Sequence, residues 1–335
     1  MRMDECGHGG ALDLMRARFP QAPEPWVDLS TGINPWPYPL NSPQPDILQR
    51  LPTATAMAAC RNVMAETFGA LAECVLPIPG SELLIRLLPT LLRPRRGTRV
   101  AITRPTFADH AEVWRASGCQ VIETSDPLNV LASTDLVVLC NPNNPDGRVW
   151  NPGRLEAART ALAAKGGWLI VDEAYADVRP DLSLAAGGGR AGLIILRSFG
   201  KFFGLPGLRL GALIAPQDTL ETVRRCLGVW SVSGPALAAG AQAYRDSGWQ
   251  QETRHRLATA RTRLDAVLNA AGLRVAGGVD LFRFVRVDDA NSVWHRLAGC
   301  GISVRRFDWG RNRLRIGLPP DADAEARLAQ ALLAR

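Results

Sequence analysis

Between Thr98 and Ala215, six short apolar runs alternate with segments of helical composition, and this alternation restricts the possible folds more than any other feature of the chain. The runs are Val100 to Thr103, Gln120 to Glu123, Leu136 to Cys140, Trp168 to Asp172, Leu193 to Arg197 and Leu210 to Ile214. Helical segments near Ala108 to Ala116 and Pro152 to Lys165 separate them. Leu-Val-Val-Leu-Cys and Leu-Ile-Val carry no polar alternation, so both faces of those strands are shielded from water, as in a parallel sheet with helices on each side. The reading is an α/β fold. The longest apolar runs are strand-length, far below the roughly 18 residues of a membrane-spanning helix.

The flanks read differently. A short helix is expected from Leu12 to Arg18, followed by the Pro-rich stretch Asn34-Pro-Trp-Pro-Tyr-Pro39, which is extended because each proline disfavours α geometry in the residue before it. Ala54 to Phe68 is helical in composition, Pro77-Ile-Pro79-Gly80 reads as a break, and Ser81-Glu82 opens an apolar helix from Leu83 to Leu92. After Pro216 the pattern is mostly helical to Gly272, with Gln250 to Ala271 as a connector. The rest reads as strand Leu281 to Val287, helix Asn291 to Ala298, strand Ile302 to Arg306, strand Leu314 to Gly317 and helix Ala322 to Leu333. Residues 46–250 are therefore expected to form a large domain, and residues 1–45 with 251–335 a small α+β domain.

A net charge of +7 first suggests a nucleic-acid binder, but its make-up argues otherwise. Of 39 basic residues only Lys165 and Lys201 are lysines, leaving 37 arginines dispersed among 32 acidic residues. Phosphate-tracking surfaces cluster both basic types; here the near-complete loss of lysine reads as compositional bias, and a surviving lysine is one whose chemistry arginine cannot supply. The N-terminus lacks the apolar core of a secretory signal, so a cytoplasmic location is expected. Seven cysteines, odd in number and without a C-x-x-C pair, read as buried free thiols, with no disulfide and no metal site.

Polar residues gather at the strand ends, where open α/β sheets bind ligands. In order these are Asn141-Pro-Asn-Asn144-Pro-Asp146-Gly147, Asp172-Glu-Ala-Tyr175, and Ser198-Phe-Gly-Lys201 running on to Arg209. Together they resemble the fold-type-I pyridoxal-phosphate (PLP) enzymes, with their N-P-N-N-P-x-G loop, D-E-A-Y strand end and S-x-x-K box followed by arginine. The resemblance implies a large domain with a mostly parallel seven-stranded sheet. PLP needs a primary amine for its Schiff base, which a guanidinium cannot provide, so Lys201 is the candidate. Asp172 would face the pyridine nitrogen and keep it protonated, making the ring an electron sink. Asn144 and Tyr175 match the pair of donors to the ring oxygen, and Phe107 the aromatic that stacks on the ring. Ser198 and Arg209 match phosphate ligands, and Gly80-Ser81-Glu82 at a helix start offers backbone N–H groups to the same phosphate. Taken alone, Ser81 also reads as a helix cap, Asn144 as a turn residue and Phe107 as core.

His8-Gly-Gly10, Asp28-Leu-Ser-Thr-Gly32-Ile-Asn34-Pro35 and Leu314-Arg315-Ile-Gly-Leu-Pro319 extend the likeness over nearly the whole chain. They resemble the threonine-phosphate decarboxylases of cobalamin biosynthesis, relatives of the histidinol-phosphate aminotransferases. That resemblance implies decarboxylation of L-threonine O-3-phosphate to (R)-1-amino-2-propanol O-2-phosphate by a homodimer. Arg315 matches a carboxylate-binding arginine and Arg305 a substrate-phosphate ligand, with His8, Gly32 and Asn34 as further substrate-side candidates. Two departures stand out: Leu51-Pro52 replaces the usual Tyr-Pro pair whose tyrosine reaches the neighbouring subunit's cofactor, and Asp146 replaces a threonine. Two other readings stay open: an aminotransferase for histidinol phosphate or aromatic amino acids, and a non-catalytic PLP-fold regulator that binds DNA. The expected partners are a small phosphorylated amino acid, with no nucleic acid and no membrane.

Overall fold

The computed structural model describes residues 9–40 and 45–334. The chain divides into two compact units. The larger spans Tyr38–Asn144 and Arg148–Gln250; the smaller takes the segment before Tyr38, Pro145–Gly147, and Gln251 onward. The first boundary thus falls at residue 38 rather than at 46, and three residues of the Asn141–Gly147 loop belong with the smaller unit.

Numbered along the chain, the strands are β1 (Val27–Leu29), β2 (Val75–Ile78), β3 (Arg99–Thr103), β4 (Gln120–Thr124), β5 (Leu136–Cys140) and β6 (Trp168–Asp172). They continue as β7 (Leu193–Ser198), β8 (Gly211–Ile214), β9 (Arg274–Val279), β10 (Phe282–Arg286), β11 (Ile302–Arg306) and β12 (Arg313–Gly317). The larger unit holds a seven-stranded sheet of order β2-β8-β7-β6-β5-β3-β4. Strands β4, β3, β5, β6 and β7 pair in parallel, and β8 runs antiparallel to both β7 and β2. This is the mostly parallel seven-stranded α/β fold expected from the sequence. β5 is buried along its whole length, and the core beneath it joins Val100, Ile102, Val138, Ile170 and Ile194 to Leu84, Leu88 and Trp114 on the covering helices. Each fully buried Leu or Ile contributes about 2 kcal/mol.

Two strands differ from the sequence expectations. Pro77 and Ile78, expected to open a break that runs to Gly80, instead lie inside the strand Val75–Ile78. That strand lies at the sheet edge, paired only to β8, where the missing N–H of a proline leaves no neighbour unsatisfied. β9 was not anticipated because Gly277 and Gly278 erase its side-chain pattern. In the smaller unit β9 and β10 form a hairpin in a five-stranded sheet of order β1-β11-β12-β10-β9. The helices at Leu12–Arg18, Ala54–Phe68 and Ala322–Leu333 lie where their composition places them. The six described cysteines are free, but Cys226 is exposed rather than buried, and Cys119 and Cys300 are half-buried. No helix among the described residues is long and apolar enough to cross a membrane.

Arg327 closes the smaller unit. Its Nε donates to the Cys300 carbonyl at 2.8 Å, and its two terminal nitrogens donate to the Pro25 and Pro23 carbonyls, each at 2.7 Å. These bonds fasten the turn before β11 and the segment before β1, two strands that pair in parallel. Charge-assisted bonds of this kind outweigh neutral ones. Arg327→Ala is expected to destabilise the chain by about 2 kcal/mol, read as a lower urea midpoint, whereas Arg225→Ala, at an exposed ion pair with Glu221, should leave that midpoint in place.

Candidate active site

The carboxyl ends of β5, β6 and β7 lie side by side, with Cys140 paired to Asp172 and Asp172 to Leu196. Asp172 ends an apolar strand and is only 5% exposed, so its carboxylate requires donors. Its Oδ1 accepts the Ala174 N–H at 3.1 Å. Its Oδ2 lies 3.1 Å from His110 Nε2 and 3.7 Å from Cys140 Sγ. His110 and Cys140 are themselves 3.6 Å apart. Burial, reinforced by the Asp172 charge, pushes the Cys140 thiol well up, which favours the protonated form that donates toward Asp172.

The loops on either side are braced from within. Asn143, fully buried, donates from Nδ2 to the Pro105 carbonyl at 2.9 Å and accepts from Thr106 Oγ1 at 2.9 Å. This fixes the start of the helix Ala108–Ala116 and hence Phe107, whose ring stands edge-on to His110 at 6.0 Å. Asn141 holds the other side, accepting the Trp150 N–H and donating to the Trp150 and Leu182 carbonyls. Asn144 follows this braced segment directly.

Lys201 sits on the short helix Phe199–Phe202 that continues β7, with its Nζ 6.0 Å from the centre of the buried Tyr175 ring. That helix is anchored by aromatic packing: Phe199 and Phe203 stack at 4.5 Å, and Phe203 stacks on Trp249 at 5.7 Å. None of these three rings is obvious as a group from local sequence.

The third element is the start of the helix Ser81–Leu92, where Gly80 is the N-cap in the left-handed region (φ 85°) and no side chain caps the free N–H groups. A Cβ on Gly80 would lie 2.9 Å from Arg209 Nη2, so the guanidinium lies directly over this turn. Arg209 itself adopts φ 51°, a strained conformation for a side-chain-bearing residue. Gly211 comes so close that a Cβ there would stand 3.0 Å from the Ser81 nitrogen. Because Gly211 is the register partner of Ser198, the sheet brings Ser198, Ser81 and Arg209 to one helix terminus. Glu82 is exposed, and its carboxylate lies 3.7 Å from Arg209.

The smaller unit carries the remaining candidates. Arg305 and Arg315 are register partners on adjacent antiparallel strands, so their side chains share one face. Arg315 is buried, donates to the Ser30 carbonyl and packs over the Phe282 ring at 4.9 Å. Arg305 lies over Phe307 at 5.5 Å and lines a shallow hollow with Gly10, Ser30, Ser303, Trp294 and Arg306. Gly32 is left-handed (φ 62°), and Asn34 is buried with its Oδ1 accepting the Trp36 N–H at 3.0 Å. His8 lies outside the described residues.

Sequence reasoning missed His110, Cys140 and Asn143. His110 follows Phe107 by three positions on one helix face, a spacing that was available; the other two act only through contacts that folding creates.

The profile of the family described as aminotransferase class I and II matches residues 46–332. A threonine-phosphate decarboxylase of Pseudomonas aeruginosa is 42% identical over 332 residues, covering 97% of each chain. One from a Sinorhizobium species is 40% identical over 326 residues, again with 97% of each chain covered. Among solved structures, the histidinol-phosphate aminotransferase of Sinorhizobium meliloti in complex with pyridoxal-5'-phosphate superposes with a TM-score of 0.83 at 20% identity, covering 97% of this chain and 94% of that one.

Two outcomes follow from the geometry. Gly80→Ala adds a methyl against Arg209 in a left-handed turn, and should weaken binding of a phosphorylated cofactor at least about tenfold while leaving the circular-dichroism spectrum intact. His110→Phe keeps the ring volume but removes a partner of Asp172. Loss of one hydrogen bond to a buried charge, about 1.5 kcal/mol, corresponds to a roughly tenfold higher cofactor dissociation constant in fluorescence titration.

Proposed function

The chain belongs to the class I and II aminotransferase family, and on that premise we propose that it is a PLP-dependent decarboxylase of L-threonine O-3-phosphate, releasing (R)-1-amino-2-propanol O-2-phosphate for cobalamin biosynthesis. The relatives that share 40% and 42% of their residues with it over 97% of its length carry the name of that enzyme.

The residues fit the cofactor. The uncapped helix start at Gly80, Ser81 and Glu82, with Ser198 and Arg209, suits its phosphate; Asp172 suits a protonated ring nitrogen; Lys201 is an amine at a strand end. Phe107 would cover one ring face, and Asn144 and Tyr175 would meet the ring oxygen. When bound, PLP supplies an electron sink for the pair left at Cα as a bond to that carbon breaks. Asp172, supported by His110 and Cys140, would face the ring nitrogen and favour its protonated form. Lys201 would hold the cofactor through its amine and would serve as the acid or base that returns a proton to Cα of the substrate.

Selection of the bond is the substrate side's task. The electron sink would serve whichever Cα bond the protein presents to it, so a decarboxylase would position the substrate carboxylate for departure and an aminotransferase the Cα hydrogen instead. The observation that carries this reading is the cross-strand pair Arg305 and Arg315. The two side chains share one face, and Arg315 is buried. Two guanidinium forks suit a molecule with both a phosphate and a carboxylate. Gly32, Asn34 and His8 are assigned to the same substrate. The chain works as a homodimer in this reading, with a group other than Leu51 replacing the absent tyrosine, and as a cytoplasmic enzyme with no nucleic-acid partner.

Incubation with threonine phosphate and PLP should release one carbon dioxide per substrate without any keto acid. Amino transfer to 2-oxoglutarate without carbon dioxide would overturn the proposal in favour of an aminotransferase. Lys201→Ala should abolish the visible absorption of lysine-bound cofactor and lower turnover by at least about 10³-fold. Arg315→Met should raise KM for threonine phosphate by about 10²-fold, since it removes a charge-assisted bond worth about 2–3 kcal/mol.

A further inference from the structure

Behind the strand ends, on the side away from Asp172, lies a second charged cluster that the proposed chemistry does not use. Arg197 is 3% exposed, and its Nη1 donates to Glu173 Oε2 at 3.0 Å, while Nη2 pairs with Asp177 Oδ1. Glu173, fully buried, also accepts the Ser183 hydroxyl at 2.5 Å and the Leu184 N–H at 2.8 Å. The Arg197 guanidinium packs over the Phe68 ring at 4.5 Å, and the Tyr244 hydroxyl is buried without a hydrogen-bond partner among the described residues. Burial works against the charge of Arg197, but Asp177 and Glu173 outweigh it and hold its pKa above the ordinary value. Burial raises Glu173 in spite of the guanidinium beside it.

The positions of these residues in the chain matter more than their number. Glu173 immediately follows Asp172, and Asp177 is two residues after Tyr175. Arg197 immediately precedes Ser198 and stands four residues before Lys201. Consecutive side chains on a strand point to opposite faces, so Arg197 projects away from the face that carries Ser198. Strands β6 and β7 pair as far as Asp172 and Leu196, with a last backbone bond from the Glu173 N–H to the Leu196 carbonyl at 2.8 Å; beyond it the two segments have no regular backbone register to hold them together.

We infer that Arg197, with Glu173 and Asp177, is a positioning residue that sets the separation between the segment bearing Asp172 and Tyr175 and the segment bearing Ser198 and Lys201. One planar guanidinium with two carboxylates, one from before and one from after Tyr175, fixes the D-E-A-Y turn at two points. A lysine in its place carries the same charge but offers a single nitrogen and reaches one carboxylate at a time. Reacting groups displaced by about 1 Å lose on the order of 10²-fold in rate, so a small shift between these segments acts on turnover without altering the substrate arginines. The inference rests on the PLP reading above.

The test uses the PLP-loaded full-length protein with Arg197→Lys and, independently, Glu173→Gln, which keeps shape and the Ser183 contact while weakening the tie. The expected result for both is a fall in kcat of about 10- to 100-fold, KM for threonine phosphate within about twofold of the parent, and a displaced pH midpoint for the visible band of the lysine-bound cofactor. The band is read without substrate, so it stays informative whether the enzyme decarboxylates or transaminates; a parent protein that never forms the band would instead refute the PLP reading. Variants that lose only thermal stability, with kcat and the band midpoint unchanged, would overturn the inference. If Arg197→Lys fails to fold, the Glu173→Gln result decides alone.

Discussion

A carboxylate at the end of a fully apolar strand is expensive, and much of the architecture around Asp172 answers that cost. Its two oxygens take a backbone N–H from the turn that follows and contacts from a histidine and a thiol on neighbouring elements. Each of those partners requires another element in place: β5 for Cys140, the helix Ala108–Ala116 for His110, and the Asn143 brace that fixes where that helix begins. A buried anion supported in this way is held in one orientation, with a remaining lone pair to offer a cationic ring. The Arg197 cluster meets the same cost on the opposite side of the turn, where two more carboxylates are withdrawn from water.

The sheet was legible because its inner strands are buried on both faces, so each appears as an unbroken apolar run, and all six runs match their strands to within a residue at either end. β2 and β9 were hidden by Pro77 and by Gly277-Gly278, residues whose local preference argues against a strand and whose pairing is imposed by neighbours. The motifs at the strand ends were legible for another reason: the chemistry of a phosphorylated aldehyde restricts residue type so narrowly that an amine, an acid and a phosphate cradle leave a spaced signature. What supports those motifs leaves none. Asn143 looks like any loop asparagine, and Glu173 looks like part of a strand end, until folding brings Pro105 to one and Arg197 to the other.

The arginine excess illustrates the same division between composition and site. Many of the described arginines form exposed pairs such as Arg50 with Asp46 or Arg225 with Glu221, each worth little. The same residue acquires a role only where the fold removes its alternatives. Arg197 is enclosed with two acids, Arg209 is held in a left-handed turn over a bare helix start, and Arg315 is buried beside a second guanidinium. The two lysines make the converse point: Lys165 donates to the Leu131 and Thr134 carbonyls, a task a guanidinium could also perform, whereas Lys201 supplies an amine that arginine cannot imitate.

Decarboxylases and aminotransferases of this family share the electron sink, so the difference between them cannot reside in Asp172 or Lys201. It would lie in which substituent of Cα the substrate-binding groups present for bond breaking, a choice set by rotation about the bond from nitrogen to Cα. A single cation fixes one substituent and leaves that rotation free; two cations at a set spacing fix it. The Arg305–Arg315 register supplies such a spacing, because antiparallel pairing determines the distance between opposed side chains to within an ångström or so. On the proposed reading, that pairing would hold a substrate with two anions in one orientation and so would favour loss of carbon dioxide over loss of a proton.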